Sequence, residues 1–321
     1  MKKVNWGVLS TANIGKTVTI PAMLEAYNCN LYGIASRQID KALEFQKLFG
    51  FEQVYESYED LLADENIDAV YIPLPNNIHG EWIKKAAKAG KHILCEKPIT
   101  GTEEELREVL EVCKENNVIL MEAFAYLHSP VIREIKEVIK NGEIGDIRFI
   151  EATFLTPTPA ATNIRMRRDT LGGSIYDIGC YPISLILNFM DQKPVDVKAI
   201  GHLAESGVDD YANIYLEFEN NVKANALTGM CSGRRGDRFF IYGTKATIEA
   251  PFKFNESGDL TYYIVDDNQK VARTVNAPNN YTLEFEQMGR CILEGEKPHV
   301  SNEFSLINSW VMDRALEAIG Y

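Results

Sequence analysis

An α/β chain is predicted, with a dinucleotide-binding N-terminal half on a parallel sheet and an α+β C-terminal half on a largely antiparallel one. Three observations lead there. Short apolar runs alternate with helix-period segments as far as residue 122. That rhythm stops at Ala123. Long alternating runs broken by turn residues follow, as expected for strands of an antiparallel sheet. The 321 residues divide on this reading into domains 1–122 and 123–321, with a helix-period segment at 304–319 expected to return over the first domain.

Charge narrows the partners. The formal net charge is −13 and no basic block stands out, so neither nucleic acid nor an anionic membrane surface is an expected partner. No apolar run approaches bilayer length, and the first residues run straight into a strand, so a cytoplasmic location is expected. Cys29, Cys95, Cys113, Cys180, Cys231 and Cys291 are scattered without CxxC spacing and read as reduced core thiols. No cluster of His, Cys and acids has metal-ligand spacing, so no metal is expected.

The first predicted strand, 4–9, leads directly into Ser10-Thr11-Ala12-Asn13-Ile14-Gly15 and an apolar-periodic segment. Small residues at a strand-to-helix turn let the backbone approach a pyrophosphate, and the helix N-terminus adds donors and positive potential. The glycine pattern is incomplete: Ser10 and Ala12 occupy the first two glycine positions of GxGxxG. Alone, the turn is equally compatible with an ordinary strand–helix connection. The second strand, 29–35, ends in Ser36-Arg37, where an acid would select NAD and an arginine accommodates the 2′-phosphate of NADP. NADP is therefore favoured, with NAD possible.

A helix at 39–49, a short helix at 58–63, a strand at 69–72 and a helix at 81–89 continue the alternation, which requires parallel pairing with right-handed crossovers. Between the last two lies a polar loop, Pro73-Leu74-Pro75-Asn76-Asn77-Ile78-His79. The run His92-Ile93-Leu94-Cys95 reads as a buried strand ending in Glu96-Lys97-Pro98, at the edge where open α/β sheets bind ligands. Pro98 biases Lys97 toward an extended conformation. Thr102-Glu103-Glu104-Glu105 is a capping box for a helix to about residue 116, and a strand at 118–121 ends at Glu122.

In the second half a helix at 130–141 precedes alternating runs at 147–154, 196–201, 211–218, 222–228 and 238–242, with Asn220-Asn221 a plausible hairpin turn. In Leu171-Gly172-Gly173-Ser174-Ile175-Tyr176-Asp177-Ile178-Gly179-Cys180-Tyr181-Pro182, Asp177 and Tyr181 would share a helix face, and Pro182 should kink that helix.

Taken together, the turn from Ser10 to Gly15, the Pro75 to His79 loop, Glu96-Lys97-Pro98, and Gly172-Gly173 with Asp177 and Tyr181 resemble the Gfo/Idh/MocA oxidoreductases over essentially the whole chain. Tyrosine at 181, where many members have histidine, is similar to the subgroup of glucose-fructose oxidoreductase, dimeric dihydrodiol dehydrogenase and NADP-dependent xylose dehydrogenases. The resemblance implies a Rossmann domain, a second domain with a large, mostly antiparallel open sheet, a homodimer or homotetramer through that sheet, a nicotinamide cofactor, and a Lys97-Pro98 bond that is often cis. It implies hydride transfer between NADP and a sugar, polyol or vicinal diol. Tyr181 is the first choice of proton carrier, with Lys97 lowering its affinity for the proton and Asp177 orienting the substrate or the ammonium. Alternatively Lys97 carries the proton. Glu96, Lys97, His79, Asn77, Leu74 and Pro75 would hold the nicotinamide end, and Arg165 would reach the cofactor or substrate. A dinucleotide-binding redox sensor without catalysis and an NAD-dependent glycoside hydrolase are the competing functions.

Overall fold

The structure is a computed structural model and describes residues 2–321. Its chain forms two compact units. One comprises Met1–Ala125 with Asn279–Leu306, the other Tyr126–Pro278 with Ile307–Tyr321.

The first unit is built on six parallel strands: β1 (Val4–Leu9), β2 (Cys29–Ala35), β3 (Gln53–Tyr55), β4 (Ala69–Ile72), β5 (His92–Cys95) and β6 (Leu120–Glu122). Their order is β3-β2-β1-β4-β5-β6. The chain therefore reverses its winding between β1 and β4, and a crevice at the carboxyl ends of the strands is the site such a sheet offers a ligand. Residues of β4 are all buried, as expected of a parallel strand covered on both faces. The covering helices are α1 (Ile20–Glu25), α2 (Ile39–Phe49), α3 (Tyr58–Ala63), α4 (His79–Lys88) and α5 (Glu103–Glu115). Thr102 caps α5 by accepting the Glu105 N–H at 3.1 Å, while the Glu105 carboxylate reaches one residue further back, to the Gly101 N–H.

A segment that the sequence left in the second domain also belongs to this unit. Phe285, fully buried in the later helix 280–294, meets Trp6 edge-on at 5.2 Å and Tyr71 at 5.5 Å. Such packing beneath β1 and β4 is a long-range contact that periodicity does not encode.

The second unit opens with α6 (Pro130–Lys140) and β7 (Ile147–Leu155). A π-helical turn, Ile175–Gly179, then runs into α7 (Cys180–Met190). Seven more strands follow: β8 (Asp196–Leu203), β9 (Asp209–Glu217), β10 (Lys223–Gly229), β11 (Gly236–Gly243), β12 (Thr247–Ala250), β13 (Gly258–Val265) and β14 (Lys270–Ala277). They make one open sheet in the order β14-β13-β12-β11-β7-β10-β9-β8, antiparallel except for the central β7/β10 pair. Asn220 and Asn221 both have positive φ, the conformation that the β9–β10 hairpin demands.

One face of this sheet is apolar and buried: Ile150 and Ala152 pair in register with Ile241 and Phe239. The other face is open, with Ile200 opposite Asn213 and Lys198 opposite Tyr215. The chain ends in α8 (Asn280–Glu294) of the first unit and α9 (Asn302–Ile319), whose first residues count with the first unit and the rest with the second. Among the described residues, no helix is long and apolar enough to cross a membrane.

Candidate active site

At the carboxyl end of β1, Ser10 has φ 128°, a backbone region that favours glycine. Its hydroxyl accepts from the Ala12 N–H and donates to the Pro73 carbonyl, both at 3.3 Å, tying this turn to the loop after β4. The Thr11 and Ser36 hydroxyls lie 3.4 Å apart, tying it also to the end of β2. A π-helical turn, Gly15–Thr19, continues into α1, and Asn13 and Ile14 precede it. Arg37 is exposed, and its guanidinium favours the ionised form of the Tyr58 phenol against the opposing, larger effect of burial.

These residues fit a dinucleotide. Ser10, Thr11 and Ala12 carry small side chains that permit close approach, the helix start supplies N–H donors, and Ser36 and Arg37 offer a hydroxyl and a cation with no acid at the end of β2.

The turn after β5 is held from three sides by buried groups. The Tyr71 phenol on β4 donates to Glu96 Oε1 at 2.6 Å, and burial together with the Glu96 charge keeps that phenol neutral. Across the cis Lys97-Pro98 bond, the Pro98 carbonyl lies 2.8 Å from His79 Nδ1, and the other ring nitrogen lies 2.8 Å from the Leu74 carbonyl. Glu122 Oε1, at the end of β6, accepts the Ile99 N–H at 3.0 Å.

His79 thus departs from the expectation that it holds the nicotinamide end. It is fully buried and both ring nitrogens face backbone carbonyls, so it braces the Leu74 loop against the Lys97 turn. Burial and the Lys97 charge lower its proton affinity, while the two carbonyls oppose them. Leu74 is also buried, Pro75 is half-buried and Asn77 is exposed on the same loop.

In the second unit, Gly172 and Gly173 are required by close approach. A Cβ on Gly172 would lie 2.4 Å from the Arg165 carbonyl oxygen, and one on Gly173 2.1 Å from Asp209 Oδ1. Asp209 Oδ2 in turn accepts from the Ser174 hydroxyl at 2.6 Å and the Ile175 N–H at 2.8 Å, capping the helix that carries Asp177 and Tyr181. Burial pushes the Asp209 carboxyl up to about 6, against these hydrogen bonds.

The expected kink at Pro182 takes another form. The chain widens into a π-turn over Ile175–Gly179, and Pro182 follows it as the third residue of α7, in a helix that runs on without a break. Asp177 sits within the π-turn and Tyr181 follows it as the second residue of α7. Asp177 accepts from Arg165 Nε at 2.7 Å. The Tyr181 ring lies among Tyr126, Phe154 and Phe254, with centroids 5.3–5.6 Å away, and its hydroxyl accepts from Asn255 Nδ2 at 3.4 Å.

Residues 4–124 match the oxidoreductase family with an NAD-binding Rossmann fold, and residues 132–249 match the GFO/IDH/MocA C-terminal domain. The chain is a GFO/IDH/MocA oxidoreductase. It is 32% identical over 318 residues to D-xylose 1-dehydrogenase (NADP(+)) 2 of Haloferax volcanii, covering 98% of this chain and 96% of that one. It is 31% identical to trans-1,2-dihydrobenzene-1,2-diol dehydrogenase of Xenopus laevis, covering 98% of each. Among solved structures, the 3-ketoreductase KijD10 of Actinomadura kijaniata, in complex with NADP and TDP-benzene, is similar with TM-score 0.92 and 28% identity, covering 99% of this chain and 98% of that one. This GFO/IDH/MocA member is thus an enzyme that uses a nicotinamide dinucleotide.

Proposed function

We propose that the protein transfers hydride between NADP and a sugar, polyol or vicinal diol. The observation that carries this reading is the braced turn at the end of β5, which presents Glu96 and Lys97 at the ligand edge of the sheet while Tyr71, His79 and Glu122 hold its backbone and flank from within. Relatives of nearly equal length that act on xylose and on dihydrobenzene diols support the substrate class.

When bound, the nicotinamide supplies the hydride acceptor or donor. Ser10, Thr11, Ala12, Asn13 and Ile14 hold the pyrophosphate, Ser36 and Arg37 the 2′-phosphate, and Glu96 with the Leu74–Asn77 loop the nicotinamide end. Tyr181 exchanges the proton of the substrate hydroxyl, and Lys97 supplies a fixed positive charge that favours the oxyanion. Asp177, held by Arg165, orients the substrate.

The open sheet face supports a homodimer or homotetramer. In register across it lie Tyr215, Asn225, Glu151 and Phe240, with Phe149 and Tyr242 beside them. Five of the six cysteines are buried, Cys231 being exposed against the expectation of a core thiol, and none of the six is in a disulfide, which suits the cytoplasm. The test of the reading is a panel of aldoses, polyols and vicinal diols run with NADP⁺ and with NAD⁺, and the reverse panel with NADPH. Turnover of free NADP(H) with a sugar or diol is the expected result; none with any member would overturn the substrate class.

A further inference from the structure

Glu122 takes no part in the chemistry described so far, and its surroundings are unusual for a carboxyl. It is 1% exposed, and it ends β6, the strand beside β5. One oxygen accepts the N–H of Ile99, two residues beyond Lys97; the other, Oε2, is buried without a hydrogen bond of good geometry. Burial disfavours its ionised form most strongly; the Ser305 hydroxyl of α9, the Ile99 N–H and then Lys97 favour it, whereas Glu96 disfavours it. The Cys95 thiol on β5 is within the reach of its charge. A buried carboxylate is costly without a counter-charge, and Lys97 is a cation that acts on this one.

We propose that Glu122 is the positioning residue for Lys97: it fixes the turn through Ile99 and supplies the buried negative charge that keeps the ammonium protonated. The inference rests on Lys97 being the cation of the active site. Burial pushes Glu122 up to about 7, so the carboxylate is formed through the alkaline range in which a lysine gives up its proton. An opposite charge favours the ammonium; removing it must therefore lower the pH at which Lys97 loses its proton.

The experiment is competitive acetylation of the cofactor-free protein across pH, with labelling of Lys97 read by peptide mass spectrometry. In Glu122→Gln the amide oxygen still accepts from Ile99 and only the charge is lost. The Lys97 midpoint is expected to fall by about one pH unit. Ser305→Ala removes a contact that favours the ionised form of Glu122 but leaves the carboxylate charged in the alkaline range, so it is the control and its Lys97 midpoint should match wild type. An alkaline limb of kcat/KM that follows the shift in Glu122→Gln supports the assignment; a midpoint unchanged in Glu122→Gln overturns it. That outcome is distinct from failure of the active-site reading, which shows as retained turnover in Lys97→Met.

Discussion

Arg37 is the residue on which cofactor choice turns. It stands exposed at the end of β2 beside the half-buried Ser36–Thr11 hydroxyl pair, without an acid to receive a ribose hydroxyl. A charge-assisted contact with a phosphate contributes about 1.5–3 kcal/mol, so Arg37→Ala should weaken NADP binding by roughly 10- to 100-fold and NAD binding hardly at all. Fluorescence titration of both reduced cofactors checks this, and equal losses would remove the phosphate role. Arg37 and Lys97 were legible in the sequence because a charged residue immediately after an apolar run marks a strand end. Tyr71 and Glu284 were not, and of Glu122 only its place at a strand end was. Glu284 lies on α8, and burial with the Glu96 charge raises its carboxyl well above the ordinary range. Its setting follows from where α8 packs, which no local pattern records. The acid at the end of β6 was visible, but its grip on Ile99 depends on the neighbouring strand.

At the scale of elements, the glycine turn and the π-turn act together. The turn positions Asp209 over the first N–H groups of the segment bearing Asp177 and Tyr181, and it does so only because position 173 lacks a side chain. Gly173→Ala combines a clash at Asp209 with φ +106°, and should cost about 2–4 kcal/mol. Gly50, at φ +82° with nothing within 4 Å of a Cβ, is the control: Gly50→Ala should cost only about 1 kcal/mol. Urea unfolding of the two variants separates the close approach from backbone preference alone. The Gly-Gly pair was readable as a turn, whereas the π-turn was not. Residue spacing alone cannot distinguish 3.6 residues per turn from a widened turn that accommodates Pro182.

At the scale of the whole molecule, the switch from parallel to antiparallel sheet was legible because the two strand types carry different apolar patterns. Strands β12 to β14 and helix α8 escaped that pattern, since β14 is mostly exposed and α8 is anchored through distant aromatic rings. The open face of the second sheet carries Phe240 and Tyr242 at 6.1 Å and Phe149 at 6.0 Å from Tyr242. Phe240→Glu places a charge in this aromatic stripe while sparing the buried face. Sedimentation should then show a smaller assembly than wild type, and an unchanged one would place the interface elsewhere.

Hydride transfer as proposed needs both Lys97 and Tyr181, and steady-state kinetics of Lys97→Met and Tyr181→Phe with a turned-over sugar or diol tests that most directly. Each variant should lose at least about 100-fold in kcat/KM, the scale of a positioned proton-transfer or charge-stabilising group, while NADPH affinity stays within a few-fold. Near wild-type turnover in either variant would contradict it.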